Sequence, residues 1–217
     1  MRIDVIFDTS CPWCFIGKRR FERALAERPF LKPDIRWRPF LLNPDIPTGG
    51  IDRDLYLERK FGSAHRVQRV LGAVAVAGEA EGIAFAFHRI QRTPNTVQSH
   101  RLIRFAEQEG RETEAVEAIF SSYFLHGRDI GEIGVLVEIG SALGLPARSL
   151  RTYLESDSDL SGIYGANARS HRLGVNGVPC FIFDERYAMA GAQEPELLIR
   201  LMDLAHEGQS ADAAVMS

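Results

Sequence analysis

The chain has 217 residues, 45% of them hydrophobic, a composition typical of a globular protein with a packed core. Its 26 basic and 29 acidic residues give a net charge of −3, and the basic residues are scattered along the sequence, so no nucleic-acid-binding surface is expected. No apolar run approaches the ~20 residues of a transmembrane helix, and the N-terminus lacks the apolar core of a signal peptide. We therefore expect a cytoplasmic protein with no membrane partner.

The N-terminal segment predicts a strand, a helix and a second strand. Residues 2–8 form an apolar run typical of a buried strand, and residues 12–28 repeat apolar side chains at helical spacing. Residues 35–40 alternate apolar and polar side chains, which indicates a strand, and a proline-bearing loop follows to Gly50.

The middle of the chain is predicted to be almost wholly helical. Glycines at 110, 127 and 144 separate its periodic segments. The segment Ile83–Phe87 is short and apolar, and is expected to be a strand or an extended connector. The predicted helices cover residues 52–61, 65–82, 95–109, 112–125, 130–143, 147–155 and 158–173.

Strand patterns return near the C-terminus. Residues 180–183 and 187–190 predict a pair of strands, and a helix is expected over 194–207. The two ends of the chain then read β-α-β and β-β-α, which together make a four-stranded sheet with helices on both faces. We expect residues 1–50 and 174–207 to form one domain, residues 51–173 a helical insertion domain, and residues 208–217 a flexible tail.

Cys11-Pro12-Trp13-Cys14 lies between the first predicted strand and the first predicted helix. This order places Cys11 at a helix N-terminus, where free backbone N–H groups and the helix dipole favour an anion. A thiol ionises more readily there, and the thiolate is the reactive form. The second sulfur lies one turn further along, close enough to attack a disulfide formed by the first. The motif therefore predicts reversible thiol–disulfide exchange.

Two other interpretations of these cysteines remain. A zinc half-site would need two further ligands, and neither a second C-x-x-C nor a pair of histidines at short spacing is present, so no metal is expected. A static structural disulfide is typical of secreted proteins, which usually carry more cysteines than the three found here.

Three landmarks carry a resemblance to a known family. They are Asp8-Thr9-Ser10-Cys11-Pro12-Trp13-Cys14-Phe15-Ile16-Gly17, then Asn95-Thr96-Val97-Gln98-Ser99-His100-Arg101, and Gly174 to Pro179 followed by a strand and Gly191-Ala192-Gln193. Together they resemble the cytoplasmic FrnE-like group of DsbA-family oxidoreductases, whose relatives include 2-hydroxychromene-2-carboxylate isomerases and kappa-class glutathione transferases. The resemblance implies an α/β thioredoxin fold interrupted by a large all-helical insertion domain.

The resemblance also implies roles for individual residues. Cys11 would be the exposed nucleophile and Cys14 the buried resolving thiol. The Val178–Pro179 peptide bond would be cis, and the Val178 backbone would hold an extended thiol substrate by strand-like hydrogen bonds. Pro12 and Trp13 would restrict the turn and offer an apolar surface to the substrate.

Several further residues are expected near the thiols. Ser10 immediately precedes Cys11, and Asn95 is expected either to begin a helix or to reach the site. His100 is expected either to be structural or to lie in the cleft between the domains. Cys180, directly after the expected cis-proline, is either a small buried core residue or a third redox thiol.

The predicted function is a thiol–disulfide oxidoreductase that works through a mixed disulfide on Cys11. Its partners would be protein or small-molecule thiols and disulfides, with glutathione as co-substrate, no tightly bound cofactor, and a homodimer as its assembly, as is frequent among relatives. The isomerase relatives carry serine at the position of Cys11, which favours redox chemistry here. The alternatives are a glutathione-dependent isomerase or transferase and a non-catalytic partner-binding module.

Overall fold

The computed structural model describes residues 1–215, with side chains for residues 1–208. Apart from the two short strands β3 and β4, the strands and helices follow one another in the order that the sequence patterns predict. The strands are β1 Arg2–Phe7, β2 Asp34–Pro39, β3 Ile51–Asp52, β4 Arg92–Thr93, β5 Cys180–Phe183 and β6 Tyr187–Ala190. The helices are α1 Pro12–Ala26, α2 Arg53–Phe61, α3 Ala64–Glu79, α4 Val97–Glu107, α5 Glu112–Phe120, α6 Ile133–Ala142, α7 Ala147–Glu155, α8 Leu160–Arg172 and α9 Pro195–Val215.

The central sheet has four strands in the order β2-β1-β5-β6. β1 pairs with β2 in parallel, whereas β5 is antiparallel to both β1 and β6. The helix between β1 and β2 is α1, which makes this connection a β-α-β unit. The two ends of the chain therefore build a single mixed sheet, as predicted, and the fold is the thioredoxin fold with a helical insertion.

Alternation along β1 and β5 gives the sheet two distinct apolar faces. Val5 and Phe7 of β1 lie with Phe181 of β5 in the main core, which also contains the inner face of α1. Ile6 and Cys180 point to the other face and pack in a small separate cluster with Phe40 and Val175. The active-site helix and Cys180 thus belong to opposite sides of the sheet.

The helical insertion packs against α1 through aromatic side chains. Phe15 of α1 stacks on Phe120 of α5 with ring centroids 5.1 Å apart, and Phe124 lies 6.2 Å away. Phe124 belongs to a π-helical segment, Ser121–Leu125, that continues α5. Ion pairs add to this contact, because the buried Nζ of Lys18 lies 2.7 Å from Oε2 of Glu117. These contacts fix α1, and with it the C-x-x-C turn, relative to the insertion.

The structure differs from the sequence-based expectations in local details. Of the two alternatives for Ile83–Phe87, the structure has the extended connector and not the strand, and the segment leads into a 3₁₀ turn at Phe87–Arg89. The small β3–β4 ladder nearby was not predicted. The last helix runs to Val215, beyond its expected end at 207. The tail expected to be flexible therefore overlaps helical backbone over 208–215, and residues 216–217 lie outside the described residues.

Candidate active site

Cys11 occupies the N-cap of α1, with extended backbone angles, and the helix begins at Pro12. The Cys11 N–H donates to the carbonyl of Asp8, and the Cys11 carbonyl accepts from Cys14 N–H at 3.0 Å. The sulfur faces the backbone carbonyl of Val178 at 3.7 Å. The expectation that Cys11 is exposed is wrong, because the residue is only 5% exposed beneath this carbonyl. Its role as the nucleophile stays a prediction.

Pro12 and Trp13 form the outer surface of the turn between the two thiols. Pro12 is half-buried at the first helical position, where its missing N–H leaves no helical hydrogen bond unmade. Trp13 is 40% exposed, although aromatic side chains of this size usually bury much of their surface. The motif therefore presents an apolar side chain to solvent directly beside Cys11.

Cys14 lies on the inner side of α1 and is 2% exposed. Burial raises the pKa of its thiol well above the ordinary value, and a hydrogen bond with Cys11 raises it further. The backbone N–H of Asp8 acts in the opposite direction. Cys14 is thus a buried thiol held beside Cys11, and all three cysteines of the chain are free thiols in this structure.

The loop that covers Cys11 is held against α1 by a glycine. The Val178–Pro179 peptide bond is cis, as the family resemblance implies. A Cβ added to Gly17 would lie 2.7 Å from Cγ of Pro179, so only glycine lets the proline ring approach the helix this closely. The Pro179 carbonyl also accepts from Gly191 N–H at 2.7 Å, which ties the loop to the end of β6.

Cys180 is not brought to the two thiols of the motif. It is 4% exposed and pairs with Ile6 in the sheet, with its side chain in the small cluster on the opposite face. Burial raises the pKa of its thiol. Of the two interpretations left open by the sequence, this placement favours a small buried core residue.

A buried carboxylate, which the sequence analysis did not single out as a site residue, lies behind the motif. Asp8 is 1% exposed at the end of β1. Its Oδ1 accepts from the N–H and the hydroxyl of Ser10 at 2.8 and 3.0 Å. Its Oδ2 accepts from Leu42 N–H at 2.7 Å and from the Thr96 hydroxyl at 3.4 Å. Ser10 therefore serves to hold Asp8, and a polar residue directly after a buried strand is the signal that could have identified it.

The segment Asn95–Arg101 at the start of α4 supplies further polar side chains close to the C-x-x-C turn. Asn95 does not cap the helix by itself, because the N-cap is Thr96, but its Oδ1 accepts from Val97 N–H and its Nδ2 donates to the Ile46 carbonyl. The Ser99 hydroxyl lies 2.6 Å from that of Thr9. The helix start is thereby fastened to both the β1–α1 turn and the loop after β2.

His100 is buried beside this network. It is 3% exposed, and its ring packs edge-on against Phe7 with centroids 5.1 Å apart. Burial lowers its pKa to about 4, while the charge of Asp8 and a hydrogen bond to the Phe40 carbonyl act in the opposite direction. Its Nε2 has no hydrogen-bond partner, which is an uncommon state for a buried polar atom.

Among the residues that the structure describes, no group of three or more histidine, cysteine or acidic side chains could hold a metal ion. Within the same part of the chain, no helix is both long and apolar enough to cross a membrane.

Comparison with family models matches residues 2–203 to the DSBA-like thioredoxin domain. The chain belongs to this family. Its members include oxidoreductases, which supports the assignment of this chain as an enzyme of that class.

Solved structures of family relatives resemble the chain over almost its whole length. A probable DsbA oxidoreductase from Streptomyces coelicolor is 28% identical with a TM-score of 0.87, covering 95% of this chain and 90% of its own. The cytosolic disulfide reductase DsbM from Pseudomonas aeruginosa, solved with GSH, is 18% identical with a TM-score of 0.65, covering 97% and 98%. A 2-hydroxychromene-2-carboxylate isomerase is 13% identical with a TM-score of 0.70 and full coverage of both chains. The last two show likeness of fold alone.

Proposed function

We propose that the chain is a thiol–disulfide oxidoreductase that exchanges disulfides through Cys11 and Cys14. The observation that carries this proposal is the placement of two free thiols on the first turn of α1, one under the Val178 carbonyl and the other buried behind it. Helix N-termini stabilise anionic groups, so the Cys11 sulfur occupies the position suited to the attacking thiolate.

The reaction follows from this order of the two sulfurs. Cys11 thiolate attacks a substrate disulfide, one half of the substrate leaves as a thiolate, and a mixed disulfide forms on Cys11. Cys14 then attacks the Cys11 sulfur, the Cys11–Cys14 bond forms, and the second half of the substrate leaves. The reverse sequence oxidises a substrate dithiol, and each step conserves sulfur bonds and electrons.

The loop around Val178 and the exposed Trp13 are the proposed contacts for substrate. The Val178 carbonyl faces the Cys11 sulfur, so an extended segment that carries the target sulfur would run alongside this loop and hydrogen-bond to its backbone. Because Cys11 is 5% exposed, docking has to displace the Val178 carbonyl slightly from the sulfur. Pro12 and Trp13 would receive the apolar part of the substrate.

Glutathione is the proposed small-molecule co-substrate, and a cytoplasmic thiol pool the proposed setting. The DsbM relative is a cytosolic disulfide reductase solved with GSH, and this likeness supports the choice. We also propose that residues 1–50 and 174–207 form one domain and residues 51–173 a second, helical one. The proposed assembly is a homodimer.

Trapping of the intermediate tests the function. A Cys14→Ser variant incubated with oxidised glutathione should stop at one glutathione on Cys11, visible by mass spectrometry, and should lose insulin reduction. The matched variant Cys11→Ser should form no such adduct. If the Cys14→Ser protein instead isomerises a chromene carboxylate and the wild type never reduces a disulfide, the isomerase alternative is correct.

A further inference from the structure

Two loops pack against α1 at the position of Gly17. A Cβ added there would lie 2.7 Å from Cγ of Pro179 and 3.5 Å from Cβ of Ala192. Pro179 belongs to the loop around Val178, whereas Ala192 belongs to the loop between β6 and α9. The Pro179 carbonyl accepts from Gly191 N–H at 2.7 Å, so the first loop is joined to the second. The position of the loop around Val178 therefore depends on what holds the β6–α9 loop.

Arg20 fastens the β6–α9 loop to α1. It lies almost one helical turn after Gly17, and its Nη1 donates to the Ala192 carbonyl at 2.7 Å. The same nitrogen lies 2.8 Å from Oε1 of Glu194, the residue that precedes α9. The Arg20 side chain is only 12% exposed, so its hydrogen bond to the loop is largely shielded from water. One guanidinium group thus binds both the backbone of the loop and the carboxylate at its end.

A buried carboxylate from the insertion holds this guanidinium in place. Glu81 follows α3, its side chain is 3% exposed, and its Oε1 lies 2.8 Å from Nε of Arg20. Its Oε2 accepts from Nη1 of Arg23 at 2.8 Å. A glutamate is almost never buried to this extent unless it is paired. Glu81 therefore fixes one side of the Arg20 guanidinium while the other side binds the Ala192 carbonyl.

We propose that Arg20 is a positioning residue that keeps the loop around Val178 in place for an extended substrate. It acts through the β6–α9 loop, with Glu81 as its support. The inference rests on the proposed function, because it concerns the substrate contacts of the same site. Arginine suits this role because its planar group donates from Nε and Nη1 in fixed, separate directions. Without Arg20 the native loop position stays accessible but is populated less, and the apparent affinity for substrate falls by the same fraction.

Two disulfides with the same leaving group separate binding along the loop from the chemistry at the sulfur. One is an extended peptide whose cysteine sulfur is joined to 5-thio-2-nitrobenzoate, and the other is 5,5′-dithiobis(2-nitrobenzoate), which has no peptide. The reference protein carries Cys14→Ser and Cys180→Ala, so that only Cys11 reacts. Its thiolate bonds to the cysteine sulfur of the peptide, and the original S–S bond breaks with release of a coloured thiolate. The release rate at increasing peptide concentration gives a half-saturating concentration and a maximal rate.

We expect Arg20→Gln in this background to raise the half-saturating concentration of the peptide about tenfold, the lower end of what a hydrogen bond from a charged donor contributes. The maximal rate should not change, because the lost contact affects binding and not the reacting sulfurs. The rate with 5,5′-dithiobis(2-nitrobenzoate) should stay at the reference value, since this disulfide has no segment that runs along the loop. Glu81→Gln should raise the half-saturating concentration about threefold, because a neutral hydrogen bond is roughly half as strong as a charge-assisted one.

Arg23→Gln is the matched control. Arg23 binds the same carboxylate at the same distance of 2.8 Å, but it makes no hydrogen bond to the β6–α9 loop among the residues that the structure describes. This variant should match the reference protein with both disulfides. A merely structural role of Arg20 would instead lower the maximal rate or slow both disulfides alike.

If Arg20→Gln does not fold, the comparison of Glu81→Gln with Arg23→Gln decides the matter. The inference is overturned if the folded variants bind the peptide as tightly as the reference protein, or if Arg23→Gln weakens binding as much as Arg20→Gln. A release rate that never saturates with the peptide would also overturn it. If the reference protein releases no coloured thiolate from either disulfide, the proposed function itself fails.

Discussion

The contact between Gly17 and Pro179 makes a quantitative prediction about how the substrate loop is held. Glycine inside a helix is ordinarily replaced by alanine with a gain of up to ~1 kcal/mol in stability. At position 17 the added Cβ would lie 2.7 Å from Cγ of Pro179, against 3.4 Å for an ordinary contact, so the loop must move by about 0.7 Å, the difference between the two distances. The proline ring cannot rotate away as a flexible side chain could.

Gly72→Ala in α3 is the matched control, because a Cβ there meets no atom within 4 Å. Both substitutions share the gain in helix propensity, so the difference between them isolates the collision with Pro179. Overpacking a well-packed contact costs ~1–3 kcal/mol. We therefore expect Gly17→Ala to have a free energy of unfolding about 1–3 kcal/mol lower than Gly72→Ala in urea denaturation.

The same displacement should slow the chemistry. Misplacement of a reacting group by 1 Å costs on the order of a hundredfold in rate, so a shift of ~0.7 Å in the loop facing Cys11 should slow the reaction of Cys11 with 5,5′-dithiobis(2-nitrobenzoate), an aromatic disulfide that releases a coloured thiolate, by about tenfold. Gly72→Ala should react at the wild-type rate. The reasoning is refuted if Gly17→Ala proves as stable as Gly72→Ala and reacts equally fast.

Three further predictions concern residues outside the motif. Arg101→Lys should lower the free energy of unfolding by about 3 kcal/mol in urea denaturation. The fully buried guanidinium donates to four backbone carbonyls and to Gln98, whereas a lysine has only three donors. A variant as stable as the wild type would contradict this. Burial raises the pKa of Glu112 to about 7, so the folded state binds more protons than the unfolded state between about pH 4.5 and 7, and wild-type stability falls as the pH rises through this window. Unfolding measured at several pH values should show no such fall for Glu112→Gln. Parallel stability profiles of the wild type and the variant would contradict this assignment. Cys180→Ala should leave the glutathione equilibrium of the motif unchanged, because the sheet separates it from Cys11, and a shifted equilibrium would show a third redox thiol.

Periodicity and turn chemistry were sufficient to predict most of the fold. The strands at 180–183 and 187–190 were predicted to the residue, because each is a short apolar run and the polar turn Asp184-Glu185-Arg186 separates them. For the segment Ile83–Phe87 the sequence left open a strand or an extended connector, and the structure has the connector. Its apolar side chains fit strand periodicity, but they pack in the aromatic cluster, where Phe85 stacks on Phe87 at 4.7 Å. A local sequence pattern contains no information about such tertiary contacts.

The candidate site was predictable only where the motif itself encodes it. The positions of Cys11, Cys14 and Pro179 follow from their neighbours in sequence and from the family resemblance. The burial of Cys11 depends on the Val178 carbonyl, which lies 167 positions away, and the acceptor network of Asp8 depends on Leu42 and Thr96. Contacts between segments that are distant in sequence determine these features, so the spacing of residues within one segment cannot predict them.

Equilibration of the wild-type protein with a series of glutathione redox buffers, read by acid quenching and mass spectrometry, is the decisive experiment. A genuine exchange pair would pass reversibly between dithiol and disulfide with the slope of a two-electron couple, ~29.6 mV per tenfold change in the equilibrium constant, and peptide mapping would place the bond between Cys11 and Cys14. Thiols that stay reduced across the whole series, or glutathione adducts that never resolve, would contradict it.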